Sequence, residues 1–245
     1  MFVKHGDRRE WGWGVTIRSK YDYFLPDDWY EALLSKMVCD GTVWCDVGCG
    51  RDIFPNNHRL ASILSERSRQ LVGIDPDENI EENPYLSKKF RCTLDEFVPS
   101  QKFNLVTLRM VIEHVVNPRA TVDVLSDMVD RGGMVVVYTV RKWSPISVIT
   151  KLSPKQVIHG AKSVLFETEE RDTFPVAYRM NTKDVLNRIF SESGFKSVYY
   201  KELDDCSVFA RFRVMHQVDL AVRKYMTLLR IKYPERNMLS VFERL

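Results

Sequence analysis

Asp46, Asp75, Glu113 and His114 each sit in or just past a short apolar run, where α/β proteins expose their chemistry. The stretch Trp44-Cys45-Asp46-Val47-Gly48-Cys49-Gly50-Arg51-Asp52 reads as a strand breaking into a glycine turn, a form that holds nucleotides. A dinucleotide fingerprint would need Gly or Ala at position 53, which is Ile. Charge argues the same way. A pyrophosphate on this turn would face Asp46 and Asp52, and like charges a few ångströms apart repel by about 1 to 4 kcal/mol at surface-like dielectric. A cofactor carrying an ammonium and a sulfonium and no phosphate, S-adenosylmethionine, removes the conflict. Asp46 then acts through the loop and ordered water on its amino-acid end, and Gly48 and Gly50 let the backbone approach it. Asp75 closes the second apolar run in "VGIDPD", where a carboxylate can accept from both ribose hydroxyls. That residue alone would suit a nicotinamide dinucleotide equally well.

A sulfonium can give up its methyl group by in-line displacement, a reaction in which alignment supplies much of the rate. A weakly acidic hydroxyl acceptor also needs a base, and histidine titrates nearest working pH. Glu113-His114 follows the fourth apolar run, and His114 is read as the base or as the residue orienting the acceptor. The competing reading makes the pair a loop anchor.

The elements that must position these groups alternate as a parallel sheet requires. "DDWYEALLSKM" carries a helical stripe of Trp29, Leu33, Leu34 and Met37, with Trp29 expected in the core. Strands are expected at "TVWCDVG", "QLVGID", near "FRCTL", "FNLVTLRM" and "MVVVYTV". Between the last two, "NPRATVDVLSDMVDRGG" is expected to be a helix stopped by Gly132-Gly133. "NTKDVLNRIFSESGF" is a further helix, capped by Asn181 or Thr182 and stopped by Gly194, and "KSVYY" and "CSVFARFRV" are expected to close the sheet. Past Val214 the apolar positions Met215, Val218, Val222, Tyr225, Met226 and Leu229 follow helical spacing.

Four segments resemble the class I S-adenosylmethionine-dependent methyltransferases: "CDVGCGRD", "VGIDPD", "FNLVTLRMVIEHVVNP" and "RGGMVVVYT", in order from about Val43 to Thr139. The resemblance implies a Rossmann-like α/β fold: a seven-stranded, mostly parallel sheet with one antiparallel edge strand and helices on both faces. It implies that S-adenosylmethionine lies over the ends of the first four strands and leaves as S-adenosylhomocysteine. The cofactor residues it implies are Asp46, Gly48, Cys49, Gly50, Asp75, Pro76, Thr93, Leu94 and Arg109. The chain departs from the family at Asp52 for the third glycine, Asn104 for Asp, Arg141 for Asn, and in lacking an acid after the third strand. The Glu-His pair is similar to that of quinone-pathway O-methyltransferases, and "DTFPVAYRMNT" (172–182) to enzymes of surface-glycan pathways. Acceptor contacts are expected from Tyr21 and Tyr23 in an N-terminal lid, and from Arg141, Trp143, Tyr178 and Arg179, with His159 a weaker candidate. No metal is implied.

The 245 residues, 44% hydrophobic and 28% charged, suit one α/β domain. Its expected parts are an arm (1–29), a cofactor-binding half (30–140), a substrate-cap insert (141–180), a sheet-completing segment (181–214) and a basic amphipathic C-terminal helix (215–245). From Ser207 onward eight Lys/Arg face three acids, a net +5 against +3 for the whole chain. That helix could meet an anionic membrane, an acidic acceptor or a second copy. Five cysteines without a CxxC pair suggest free thiols in a reducing cytoplasm, and no apolar run reaches bilayer-spanning length. The expected activity is O-methylation of a small molecule or of a glycan- or lipid-linked acceptor. A non-catalytic cofactor-binding subunit and an RNA or protein methyltransferase are the alternatives. The lack of a continuous basic-aromatic stripe speaks against nucleic acid.

Overall fold

The sheet order β3-β2-β1-β4-β5-β7-β6 is the organising feature of the structure, a computed structural model that describes residues 2–142, 175–207, 209–234 and 236–245. Its strands are β1 (Val43–Val47), β2 (Gln70–Ile74), β3 (Lys88–Phe90), β4 (Phe103–Arg109), β5 (Val129–Val140), β6 (Phe195–Asp204) and β7 (Arg236–Arg244). Pairings β3–β2, β2–β1, β1–β4 and β4–β5 are parallel, and antiparallel strands complete the edge. The near-continuous burial of β1, β2 and β4 is what a sheet covered on both faces requires.

Contacts divide the chain into two compact units. One comprises Tyr30–Thr139, Val176–Lys201 and Met238–Leu245, the other Met1–Trp29, Val140–Pro175 and Glu202–Asn237. In the first, a single core gathers Cys45, Val106 and Val137 from the strands with Leu125 and Phe190 from helices, and Phe190 stacks on Phe242 at 3.9 Å. The helices are α3 (Pro26–Met37), α4 (His58–Arg67), α5 (Pro118–Met128) and α6 (Lys183–Glu192), after a one-turn α1 (Phe2–His5) and α2 (Trp13–Lys20). Asn57 and Asn117 cap α4 and α5 through their side-chain oxygens, each leaving one fewer orphan amide. In the second unit, Ile17 of α2 packs with Tyr23, Cys206 and Leu220, the last from α7 (Arg213–Leu228).

Several expectations are corrected. Gly132-Gly133 does not stop a helix: α5 ends at Met128, and the pair lies in β5 at a register irregularity opposite β4. There a Cβ on Gly133 would stand 2.8 Å from the Asp130 carbonyl oxygen. Trp29 is surface-exposed; of the expected stripe only Leu34 is buried, and the inward side of α3 is Tyr30 and Leu34, continued by Val38 just past its end. The expected strand at 206–214 is absent: residues 206–207 and 209–212 are turn or irregular, and α7 begins at Arg213. The C-terminal helix does not run to 245 either; it ends at Leu228, and 236–244 forms β7 between β5 and β6. Pro234 breaks helical continuity, and the following Met-Leu-Ser-Val-Phe run is buried on both faces, so it lacks the alternation that marks a strand. Among the described residues no helix is long and apolar enough to cross a membrane.

Candidate active site

Asp46 lies one residue before the end of β1, buried, in register with Thr107 of β4. The Trp44 indole N–H donates to the Thr107 hydroxyl at 2.7 Å, and that hydroxyl donates to Asp46 Oδ1 at 2.5 Å. A tryptophan hydrogen bond thus commits the Thr107 proton to the carboxylate. Burial pushes the Asp46 carboxyl up to about 7; Thr107 and Arg109 pull it down, and Asp75 pushes it further up. The carboxylate is therefore poorly compensated in the unliganded protein, and a cationic guest would relieve it.

The turn after β1 is built for close approach. Gly48 has φ +69°, and a Cβ there would overlap Val111 Cγ2 from the segment after β4. Gly50 has φ +46°. Asp75 holds this turn directly: its carboxylate accepts the Gly50 amide at 2.9 Å and the Asp77 amide at 2.8 Å. Both oxygens keep a further lone pair, so the ribose role expected of Asp75 is superimposed on a loop-holding one. The buried Asn83 donates to the Gly50 carbonyl at 3.0 Å and the Cys49 carbonyl at 3.4 Å. The Cys49 thiol is buried and faces the Ile74 carbonyl, so this residue can meet a cofactor only through its backbone.

The turn after β4 is the second half of the site. Met110 adopts φ +54° and its amide donates to the Tyr138 carbonyl at 2.8 Å, aiming the chain away from the sheet. Glu113 is buried. Its Oε2 accepts from the Thr139 hydroxyl at 2.7 Å, that hydroxyl accepts from Asn181 Nδ2 at 2.9 Å, and the Glu113 carbonyl accepts the Ala177 and Tyr178 amides. Burial raises the Glu113 carboxyl, against the pull of Thr139. Glu113 thus fastens the turn, and the half-buried His114 is carried on it. The Arg109 guanidinium lies 6.0 Å from the Tyr138 ring centre and acts electrostatically on both Asp46 and Glu113.

Asp46, the glycine turn, Asp75, Arg109, Glu113, His114 and Tyr178 therefore belong to one unit, at the ends of β1, β2, β4 and β5 and the turns that leave them. Other expected residues have local duties. Thr93 caps a short turn with Glu96, Leu94 joins the core, and Pro76 is exposed. Arg179 is exposed and Tyr178 buried with φ +48°. In the other unit Tyr23 is wholly buried, its hydroxyl donating to the Asp204 carbonyl and accepting the Cys206 amide, so it packs a core and presents no lid surface. Tyr21 flanks that core, and Arg141 pairs with Glu202 at 3.1 Å. Trp143, His159 and most of the insert lie outside the described residues. Of the family departures, Asp52 turns to His58 at 3.1 Å, and Asn104 clamps the entry to β1, accepting the Val43 amide at 2.9 Å and donating to Gly41. Trp44, Asn83, Thr107, Thr139 and Asn181 were missed from sequence. Thr107 and Thr139 left a signal, as threonines inside otherwise largely apolar strand runs.

A family model described as a methyltransferase domain matches residues 18–200. The chain belongs to that methyltransferase family. Among curated proteins it is similar to a ubiquinone biosynthesis O-methyltransferase of Bradyrhizobium sp. (strain ORS 278), 30% identical over 46% of this chain and 47% of that protein. The match thus spans about half of that relative's length. Among solved structures it is similar to the N-methyltransferase NodS of Bradyrhizobium japonicum WM9 in complex with S-adenosyl-L-homocysteine, at TM-score 0.52 and 11% identity, covering 98% of this chain and 94% of that one. It is also similar to the [4+2]-cyclase SpnF, at TM-score 0.55 and 12% identity, covering 89% and 81%. Likeness at that identity shows the fold alone, and the fold evidently hosts more than one reaction. The family's cofactor is S-adenosylmethionine. The residues of this methyltransferase domain fit it: a buried, undercompensated carboxylate at the end of β1, a left-handed glycine turn and Asp75.

Proposed function

We propose that this domain methylates a hydroxyl oxygen of a small organic acceptor, free or carried on a lipid or glycan. The reading is carried by the turn after β4, where the buried Glu113–Thr139–Asn181 chain fixes the backbone that presents His114. A residue held this way can take a proton at a defined place, which an O–H acceptor requires and a softer nucleophile does not. The name of the similar Bradyrhizobium protein, an O-methyltransferase, supports the same acceptor atom.

When bound, S-adenosylmethionine supplies an electrophilic methyl carbon. An imidazole nitrogen of His114 would take the hydroxyl proton as the acceptor oxygen receives that methyl and S-adenosylhomocysteine is released. Asp46 and Asp75 would hold the cofactor, and Glu113 would position His114 without entering the reaction.

The test is turnover of labelled S-adenosylmethionine over a panel of quinols, phenols, sugars and lipid extracts, with calorimetry for both cofactor forms. His114→Ala should lower kcat on the accepted hydroxyl compound about a hundredfold or more, leaving cofactor affinity within a factor of about two. Unchanged kcat would remove His114 from the chemistry, and labelling only of amines or carbons would overturn the acceptor class.

A further inference from the structure

Helix α7 is folded inside out. Its inward side carries His216 and Leu220, both buried, with Asp219, which accepts from the Tyr233 hydroxyl, and Arg223, which pairs with Asp204. Its outward side carries Val214, Met215, Val218, Val222, Tyr225 and Leu228, and the exposures of Val214 (74%), Val218 (57%), Tyr225 (63%) and Leu228 (74%) leave no doubt about which way it faces. At 100° per residue these six fall within about 140° of arc, a continuous apolar stripe along a helix about 24 Å long. Scattered apolar side chains on a surface need no explanation, whereas a stripe of this length does.

The charges around the stripe select what could cover it. Residues 211–232 hold six cations and one acid, Asp219, and that acid is bonded to Tyr233. Arg223 and Lys224 are paired with Asp204 and Asp22. Arg211 and Arg213 precede the stripe and Arg230 follows it, with Lys232, itself paired with Glu202 at 3.5 Å, just beyond, so both ends are cationic. Two copies packed stripe to stripe, parallel or antiparallel, would set cation against cation at both ends. An anionic lipid surface meets the apolar stripe with acyl chain and the flanking cations with phosphate. Tyr225 suits the boundary between them.

We propose that α7 is a docking helix for an anionic lipid surface, lying in the plane of the interface. The proposal goes beyond the catalytic reading and is independent of it.

Sedimentation of the 245-residue chain with phosphatidylcholine vesicles, and with vesicles rich in phosphatidylglycerol, tests it. Binding should appear with the anionic vesicles and weaken with salt. The double variant Val218→Asp, Tyr225→Asp should reduce it at least tenfold, and Arg230→Ala about fivefold. Failure to sediment, or sedimentation untouched by the double variant, overturns the proposal. So does light scattering that shows a wild-type dimer made monomeric by the double variant, since a second copy would then be the occupant. A lowered melting temperature in the double variant with no vesicle binding in the wild type would make the stripe part of the protein's own packing and overturn the proposal. Calorimetry with S-adenosylmethionine on the same samples separates this outcome from failure of the catalytic reading.

Discussion

A carboxylate at the end of β1 held near neutrality by burial is a group whose ionisation is coupled to its guest. Asp46 has its folded-state carboxyl pushed up to about 7, above the unfolded value of 3.8, so the unliganded protein binds this proton where the unfolded chain does not. The contribution is therefore unfavourable and grows as pH rises from about 4 to about 7, by an amount on the order of a few kcal/mol. Asp46→Asn should flatten that part of the stability–pH curve, measured by denaturant unfolding between pH 4 and 8. Affinity for S-adenosylmethionine should rise with pH over the same range in the wild type and stay flat in the variant. Thr107→Val removes the donor to Asp46 and the acceptor for Trp44 at once, and should weaken cofactor binding about tenfold, with Thr107→Ser close to wild type. Asp46, Asp75 and the glycines were legible in the sequence because their spacing and charge are local facts. Trp44 and Thr107 were not, because their partnership depends on the register of β1 against β4. Glu113 was visible as a member of a pair, but only its burial against Thr139 shows that it fastens the turn on which His114 sits.

At the scale of elements, the crossing of two turns carries the site. Gly48 sits in the left-handed region under Val111, so the turns after β1 and β4 are in van der Waals contact. Gly48→Ala should destabilise the protein by about 1–3 kcal/mol and abolish measurable cofactor binding by calorimetry. Adding Val111→Ala relieves the overlap but not the φ strain, so stability should recover only in part. The parallel strands were readable because apolar runs are local signals; α6 was readable too, but Thr182 stands at its N-cap without a side-chain bond, and Asn181 donates to Thr139 instead. The end of α5 was misread because Gly132-Gly133 marks a bulge as readily as a helix stop. Helix α7 was found by its periodicity, but its facing was not legible: spacing reveals a stripe and is silent about whether protein or something else covers it.

At the scale of the whole molecule, β7 decides the sheet. The sequence read 215–245 as a helix following a sheet completed by 181–214; the structure makes 236–244 the strand between β5 and β6. A chain stopped at Pro234 should therefore lose cooperative thermal unfolding and cofactor binding together, and a near-normal melting transition would show that the remaining strands suffice. That placement also bears on how the protein is made. During synthesis β5 and β6 emerge from the ribosome well before the strand that must separate them. Until residue 244 is clear of the exit tunnel, each has an open edge able to pair wrongly, so the nascent chain passes through a period of heightened dependence on chaperones.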